Sequence, residues 1–403
     1  MRADQFTIAG ATPGPPATAL AAIRRFYAYR IVSRAYFYLP VLVIIFRERG
    51  VSITAIGWLV AAHALVLTVM QVPAGRWSDR MGRRRFLVAG ETAKGLGVLL
   101  LASATSFGGF LVAQLVGAFG YALAAGTDSA LLFELHRNAG MDEAYKRNET
   151  RSQGWAFMSV LVAGVLGAVA LEADLRAPLL LTVPFCLAAA VLAYGFPADS
   201  PRSTTSSPAP FLPPRVLPYA VFYAVHRAVV MALFVLLLPL VLFTRTDVDL
   251  IYFGLILGSF SLAAFGAGRA LPALSRHGHE RVAWVVPVAI GAGLALLLWA
   301  GKGGALIAPA LLGVGAGLVR PVSVSRILAV VGPDHRARAL SIGELLFGVF
   351  NALIVLVAAW ATERRGVDAG LAVAAGALLV GLVAIGVIAG VQRRRAPTGS
   401  PAS

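Results

Sequence analysis

The stretch GRWSDRMGRRR, Gly75 to Arg85, sets one aspartate among five arginines between two apolar runs. A carboxylate so placed can accept from the free N–H groups of a helix end or pair with a guanidinium. Its glycines have backbone uses: Gly75 admits a close helix approach, and Gly82 permits a turn into the following helix. The bland reading is a basic loop that anchors membrane helices in one orientation. A second set of reactive groups lies inside the apolar runs. Arg30, Arg34, His226, Arg227 and Arg320 could hold a polar or anionic ligand, with Tyr27 and Tyr38 spaced to share a helical face with the first two. For Arg30 the alternative is snorkelling to headgroups, and for His226 a helix–helix hydrogen bond. Arg269 and Arg326 read as anchors. Glu91 lies three residues from Lys94, which can neutralise it. Glu344 has no such neighbour and shares a face with Ser341, Gly348 and Asn351. An isolated intramembrane carboxyl is costly as an anion, which suits a group that takes up and releases a proton. A salt bridge to Arg34, Arg227 or Arg320 is the competing expectation.

The elements that must position these groups are membrane helices. The chain is 58% hydrophobic and 13% charged, far from the balance of a soluble protein. At ~20 apolar residues per span, about twelve spans emerge, near 26–46, 54–74, 86–105, 109–131, 154–172, 177–196, 217–243, 250–272, 282–300, 304–328, 338–361 and 369–391. A net charge of +16 would suggest nucleic acid in a soluble protein. Here basic loops explain it, and nothing resembles a base-stacking platform. With the N-terminus inside, about 21 Lys and Arg fall in cytoplasmic segments and about 7 in outer loops. The expected topology is a multi-pass protein of the cytoplasmic membrane with both termini cytoplasmic. Residues 1–24 lack the apolar core of a signal peptide and read as a disordered tail. Cys186, the lone cysteine, allows no internal disulfide.

Residues 198–215, rich in Ser, Thr and Pro, read as a cytoplasmic linker between two bundles of six spans, 25–197 and 216–392, with a tail over 393–403. The halves look duplicated. YRIVSRA (Tyr29–Ala35) aligns with FYAVHRA (Phe222–Ala228), placing Arg34 opposite Arg227. DRMGRRR has a degraded counterpart in SRHGHER (Ser275–Arg281), and LVGAFGYALAAG one in LLGVGAGLVRP. Gly254/Gly258, Gly313/Gly317 and Gly386/Gly390 are pairs that let helix backbones approach.

Twelve spans in two related halves, a middle linker and G-x-x-x-D-R-x-G-R-R between spans two and three resemble the Major Facilitator Superfamily (MFS). The likeness runs from about Arg24 to Arg395, with Gly75, Asp79, Arg80, Gly82, Arg83 and Arg84 in register. It implies an all-α fold of two pseudo-symmetric six-helix bundles. It also implies that Asp79 faces the N-terminus of span eleven, near Arg336 to Ser341, where the helix dipole favours an anion. Arg83 would pair with an acid at the inner end of span four, Asp128 first and Glu134 as the alternative. Those contacts would latch the halves together when the inside is closed. Spans one, four, seven and ten would surround the cavity, which makes Arg30, Arg34, Tyr38, His226, Arg227 and Arg320 substrate-binding candidates. Glu344 is the leading proton-coupling residue, with Glu91 second.

Span five lacks the Gly-Pro pair that resembles a signature of drug–proton antiporters in the superfamily, and span one carries no acid. The excess of embedded cations tilts the expected substrate toward an anionic or amphiphilic small molecule. The expected function is proton-coupled export by a monomeric secondary transporter, with uptake by symport the alternative. A membrane enzyme would need a catalytic cluster, and His63 and His136 stand alone. A transporter-like sensor is the remaining class. No metal, cofactor or nucleic-acid partner is expected.

Overall fold

The structure, a computed structural model, describes residues 17–197, 216–246, 248–276, 279–331 and 336–393. The expected linker 198–215, residues 1–16 and the tail beyond 393 lie outside the described residues. Residues 17–24, expected to be disordered, instead begin α1 (Ala17–Val32), an Ala-rich run of good helix formers.

The first span is broken. α1 stops at Val32, and helix resumes at a single 3-10 turn, Leu39–Val41, that leads into α2 (Leu42–Glu48). Pro40 brings no N–H to the ladder at this point. Neighbouring helices take up freed backbone groups: Phe37 N–H donates to Thr182 Oγ1 at 3.2 Å, and the Ser159 hydroxyl donates to the Ile31 carbonyl at 2.7 Å. Broken helices persist at membrane depth only when such partners exist. Arg34 and Tyr38 therefore stand in the break and do not share a helical face with Tyr27 and Arg30.

Among the described residues, eleven further helical segments are long and apolar enough to cross a bilayer. α3 (Ile53–Met81) starts at Ser52, whose side chain accepts from Ala55 N–H. Gly82 alone separates it from α4 (Arg83–Ser103), at φ 94°, a conformation that side chains resist. α5 (Phe107–Ala124) and α6 (Thr127–Asn138) form one span with a kink at Ala125 and Gly126. α7 (Asp142–Ala173) and α8 (Ala177–Tyr194) complete the first half. In the second half α9 (Leu217–Ala232) runs through a π turn, Leu233–Leu237, into α10 (Leu238–Arg245). The wider turn directly precedes Pro239, which cannot donate. α11 (Leu250–Ser275), α12 (His279–Trp299), α13 (Gly301–Val330), α14 (Arg336–Arg365) and α15 (Val367–Arg393) follow. Residues 277 and 278 of the SRHGHER counterpart lie outside the described residues.

Large apolar side chains such as Val191, Val288 and Leu379 point outward, as a hydrocarbon solvent permits. Across the halves, α3 packs on α14 and α7 on α11, both antiparallel. Gly57 meets Ala359 and Gly348 meets Thr68. Gly254 meets Val165, and Gly154 meets Phe265. A methyl on Gly254 would lie 2.7 Å from the Gly164 carbonyl oxygen, so this approach requires glycine. Gly313 and Gly317 press on α11 in the same way, whereas Gly386 and Gly390 face nothing within 4 Å. Of these cross-half contacts, Thr68/Gly348 lies midway along α3 and Gly154/Phe265 beyond the middle of α11, whereas Gly57/Ala359 and Gly254/Val165 fall at the end where α3 and α11 begin. There the Glu363 carboxylate of α14 also accepts from Thr54 N–H, at 2.8 Å, in the first turn of α3.

Candidate functional site

A cavity of about 290 Å³ lies between the halves. Tyr36, Tyr38, His63, Gln71, Lys94 and Tyr121 line it from the first half, and Arg227, Met231, Phe347 and Asn351 from the second. The Tyr36 and Tyr121 rings stand 5.6 Å apart, inclined at 31°. The Lys94 ammonium sits 5.6 and 5.2 Å from their centres, close enough for cation–π attraction.

Each cation that reaches this wall has a carboxylate. Lys94 Nζ is 2.7 Å from Glu91 Oε2, and Glu91 also accepts from Tyr29 at 2.8 Å. The neutralisation expected within the Glu91/Lys94 pair thus has the required geometry. Across the cavity, Arg227 bonds Glu344 at 2.5 Å, and the Tyr223 hydroxyl donates to the same carboxylate at 2.6 Å. Glu344 is therefore not isolated. Of the partners weighed for it, Arg227 is the close one; the largely exposed Arg320 is 3.8 Å away and outside the main cavity wall. Arg227 also lies over the Phe347 ring, 4.1 Å from its centre.

The other embedded arginines form a separate network. Asp128, in the first turn of α6, bonds Arg34 at 3.0 Å and Arg30 at 3.3 Å. Arg30 also bonds Glu149 of α7 at 3.3 Å, and Ser129 donates to Glu149 at 2.8 Å. Arg30 is 1% exposed and off the cavity wall, so its expected substrate contact has no geometric support. Arg34 borders a small cleft with Lys94, Tyr121 and Asp128, one layer behind the wall. His226 turns away from the cavity: its Nδ1 lies 2.8 Å from the Phe222 carbonyl, and its ring packs against Gly381 of α15. Of the six substrate candidates, Tyr38 and Arg227 line the cavity.

The duplication has a structural echo that neither repeat alone reveals. In the aligned segments Arg30 falls opposite Tyr223. Each reaches a carboxylate on the fifth span of its own half, Glu149 on α7 and Glu344 on α14.

In the Gly75–Arg85 loop, Arg83 bonds Glu134 at 3.1 Å, Asp79 at 3.3 Å and the Ala130 carbonyl at 2.7 Å. The preferred partner Asp128 is a correction: it is taken by Arg30 and Arg34, a turn and a half deeper in α6, and the alternative Glu134 is the acid within reach. Arg84 stacks on Tyr194, 4.2 Å from the ring centre. Gly75 has nothing within 4 Å of where a methyl would sit, so its expected close contact is not made. Arg80 is set in the last turn of α3. The side chains of residues 336–338, where Asp79 is expected to dock, lie outside the described residues.

Sequence reasoning passed over Glu149, Tyr223 and Gln114, which lines the cavity and hydrogen-bonds His63, and it left His63 without a role. Only Asn351 carried a signal, by sharing a helical face with Glu344.

Comparison with known proteins settles the family. The sequence model described as Major Facilitator Superfamily matches residues 31–308. The chain belongs to the Major Facilitator Superfamily. Among solved structures, a point mutant of the nucleoside transporter NupG superposes with a TM-score of 0.80 at 13% identity, covering 92% of this chain and 99% of that one. The nucleoside transporter NupG itself gives 0.74 at 13% identity, covering 92% and 98%. No curated protein sequence matches the chain. This MFS member is a multi-pass membrane transporter of a small-molecule substrate, and not an enzyme. The likeness to NupG is one of fold.

Proposed function

We propose that this MFS member is a proton-coupled carrier of the cytoplasmic membrane that exports a small amphiphilic compound by alternating access. The observation that carries the reading is the cavity, walled by both halves and flanked by the Arg227–Glu344 pair. A carrier needs a central site whose two sides open in turn, and a proton site whose occupancy biases that exchange. Glu344 is our proton site because it joins two elements at the cavity: neutralising it weakens its hold on Arg227 and Tyr223. The anionic substrate expected from the surplus of cations loses its basis, since Lys94, Arg227, Arg30 and Arg34 each have a carboxylate. A nucleoside, the cargo named for the similar fold, combines a ring with hydrogen-bonding groups and makes a sensible first compound to assay.

With both termini cytoplasmic, as the basic residues favour, the closed end is the outer one and the cavity faces inward. Asp79 then docks on the N-terminus of α14 only when the inside closes, with Arg83 and Glu134 holding the loop in place. Counterflow of labelled compound in proteoliposomes tests the carrier reading, and the direction of accompanying proton movement separates export from uptake. Binding without counterflow would mean a sensor.

Two predictions concern the gates. Asp79→Asn and Arg83→Ala are expected to leave the protein inserted but cut transport at least about tenfold, a shift of ~1.4 kcal/mol between states. Glu134→Gln should follow Arg83→Ala. Full flux in all three would reduce the loop to a topological anchor. The outer contact predicts the opposite bias. With a cysteine at cavity residue Leu67, Glu363→Gln should raise labelling by an impermeant maleimide from outside, and Asp79→Asn should lower it. Equal labelling in both would show that neither carboxylate acts on the gates.

A further inference from the structure

We propose that His63 and Asn351 form the polar recognition pair of the cavity, and that they hold an uncharged, planar heteroaromatic compound with a hydrogen-bond donor on its edge. The inference rests on the carrier reading only in taking this cavity as the substrate site.

Among the described residues, two that line the cavity each carry a buried side-chain polar atom without a protein partner, His63 Nδ1 and Asn351 Oδ1. Buried polar groups are nearly always hydrogen-bonded, because desolvation without a partner is costly. Two such atoms on one cavity wall mark where a ligand supplies what the protein does not. They belong to opposite halves. His63 is on α3 and Asn351 on α14, the antiparallel helices joined at Gly57/Ala359 and Thr68/Gly348. Both residues fall between those two contacts in the register. A ligand that bonds both therefore ties the halves together where they already meet.

Three further features define the ligand. Asn351 Oδ1 can only accept, so the ligand must bring a donor; His63 already hydrogen-bonds Gln114, which leaves its unpartnered Nδ1 to the ligand. Lys94 and Arg227 are already ion-paired, and a charged ligand would have to separate one of those pairs in a poorly solvated site. Tyr36, Tyr121 and Phe347 offer ring surfaces, and about 290 Å³ is the small end of the ~300–1,000 Å³ range of ligand pockets. A flat, neutral compound of one or two rings meets all three.

The test uses isoquinolone and quinazolinone, flat uncharged lactams, beside their N-methyl derivatives and naphthoate, an anion of like size. Binding to the purified full chain is followed by calorimetry and thermal shift. The lactams should bind, with N-methylation and the naphthoate charge each costing at least about tenfold in affinity. Asn351→Leu and His63→Phe should each cost the same. Asn351→Leu should not lower the melting temperature of the ligand-free protein, because it removes an unpaired atom and keeps the shape. The proposal is overturned if no lactam binds at millimolar concentration, if naphthoate binds at least as well, or if either variant binds like the parent. A large fall in the melting temperature of ligand-free Asn351→Leu would also overturn it, by showing that an internal water already pairs that oxygen. Counterflow in lactam-loaded vesicles keeps the two readings apart. Binding that depends on both residues without counterflow defeats the carrier and spares the pair, whereas counterflow indifferent to both variants does the reverse.

Discussion

Glu344→Gln is expected to abolish gradient-driven transport while leaving exchange of substrate across the membrane intact. The carboxylate is the common acceptor of Arg227 and Tyr223, at 2.5 and 2.6 Å, and α14 carries it toward the cavity that α9 also lines. A proton gradient can drive a cycle only through a group whose proton affinity differs between the two states. Glu344 is the proposed group because it ties α14 to Arg227 and Tyr223 of α9, with Arg227 packed at the same time on the Phe347 ring. Glutamine keeps the shape and the hydrogen bond from Tyr223 but fixes the uncharged state. The halves can then still rock with substrate, but no proton accompanies them. The change also strands a guanidinium. Breaking a buried pair costs about 3–5 kcal/mol, but both side chains are roughly a quarter exposed here. An estimate of ~1–2 kcal/mol after solvent screening leaves a foldable protein. The measurement is uphill flux against counterflow in the same vesicles. Uphill flux that survives places the proton site elsewhere, and Glu91→Gln is the next variant to examine.

Asp128→Asn is expected to act on stability before transport. Asp128 is almost fully buried and holds both Arg34 and Arg30. Glu149 can still serve Arg30, while among the described residues Arg34 keeps the Tyr121 hydroxyl, at 3.3 Å, as its hydrogen-bond partner. Arg34 is about a quarter exposed, so solvent screening lowers the ~3–5 kcal/mol cost of a stranded buried charge to about 2–3 kcal/mol here, with Asp128 itself almost fully buried. The variant should therefore melt several degrees lower in detergent and be poorly recovered from membranes. Glu134→Gln, at the end of α6, should retain more of its stability. Adding Arg34→Met should restore part of the loss in Asp128→Asn, since the stranded charge goes with it. A stable Asp128→Asn with the flux defect of Arg83→Ala would return Asp128 to the latch.

The sequence by itself determined the class of this protein. Long apolar runs leave no solvent but lipid, and period, length and loop charge are properties of local stretches, so the number of spans and the Gly82 turn could be read directly. The duplicated YRIVSRA and FYAVHRA segments likewise marked where polar residues enter the first span of each half. What local pattern could not supply was partnership. Arg30, Arg34 and Arg227 looked like one class of embedded cation, yet Arg30 is locked to Asp128 and Glu149 while Arg227 faces the cavity. That difference depends on which of several acids, 94 to 119 residues away in the chain, the packed helices bring within about 3 Å. The break after Val32 was similarly hidden, because its cost is met by Thr182 and Ser159 on other helices. His226 was a cavity candidate because the family resemblance sets span seven beside the cavity, but the rotation of α9 turns it against Gly381 of α15. Whether a buried polar group is structural or meets a ligand is fixed by what lies across from it, and only tertiary packing decides that.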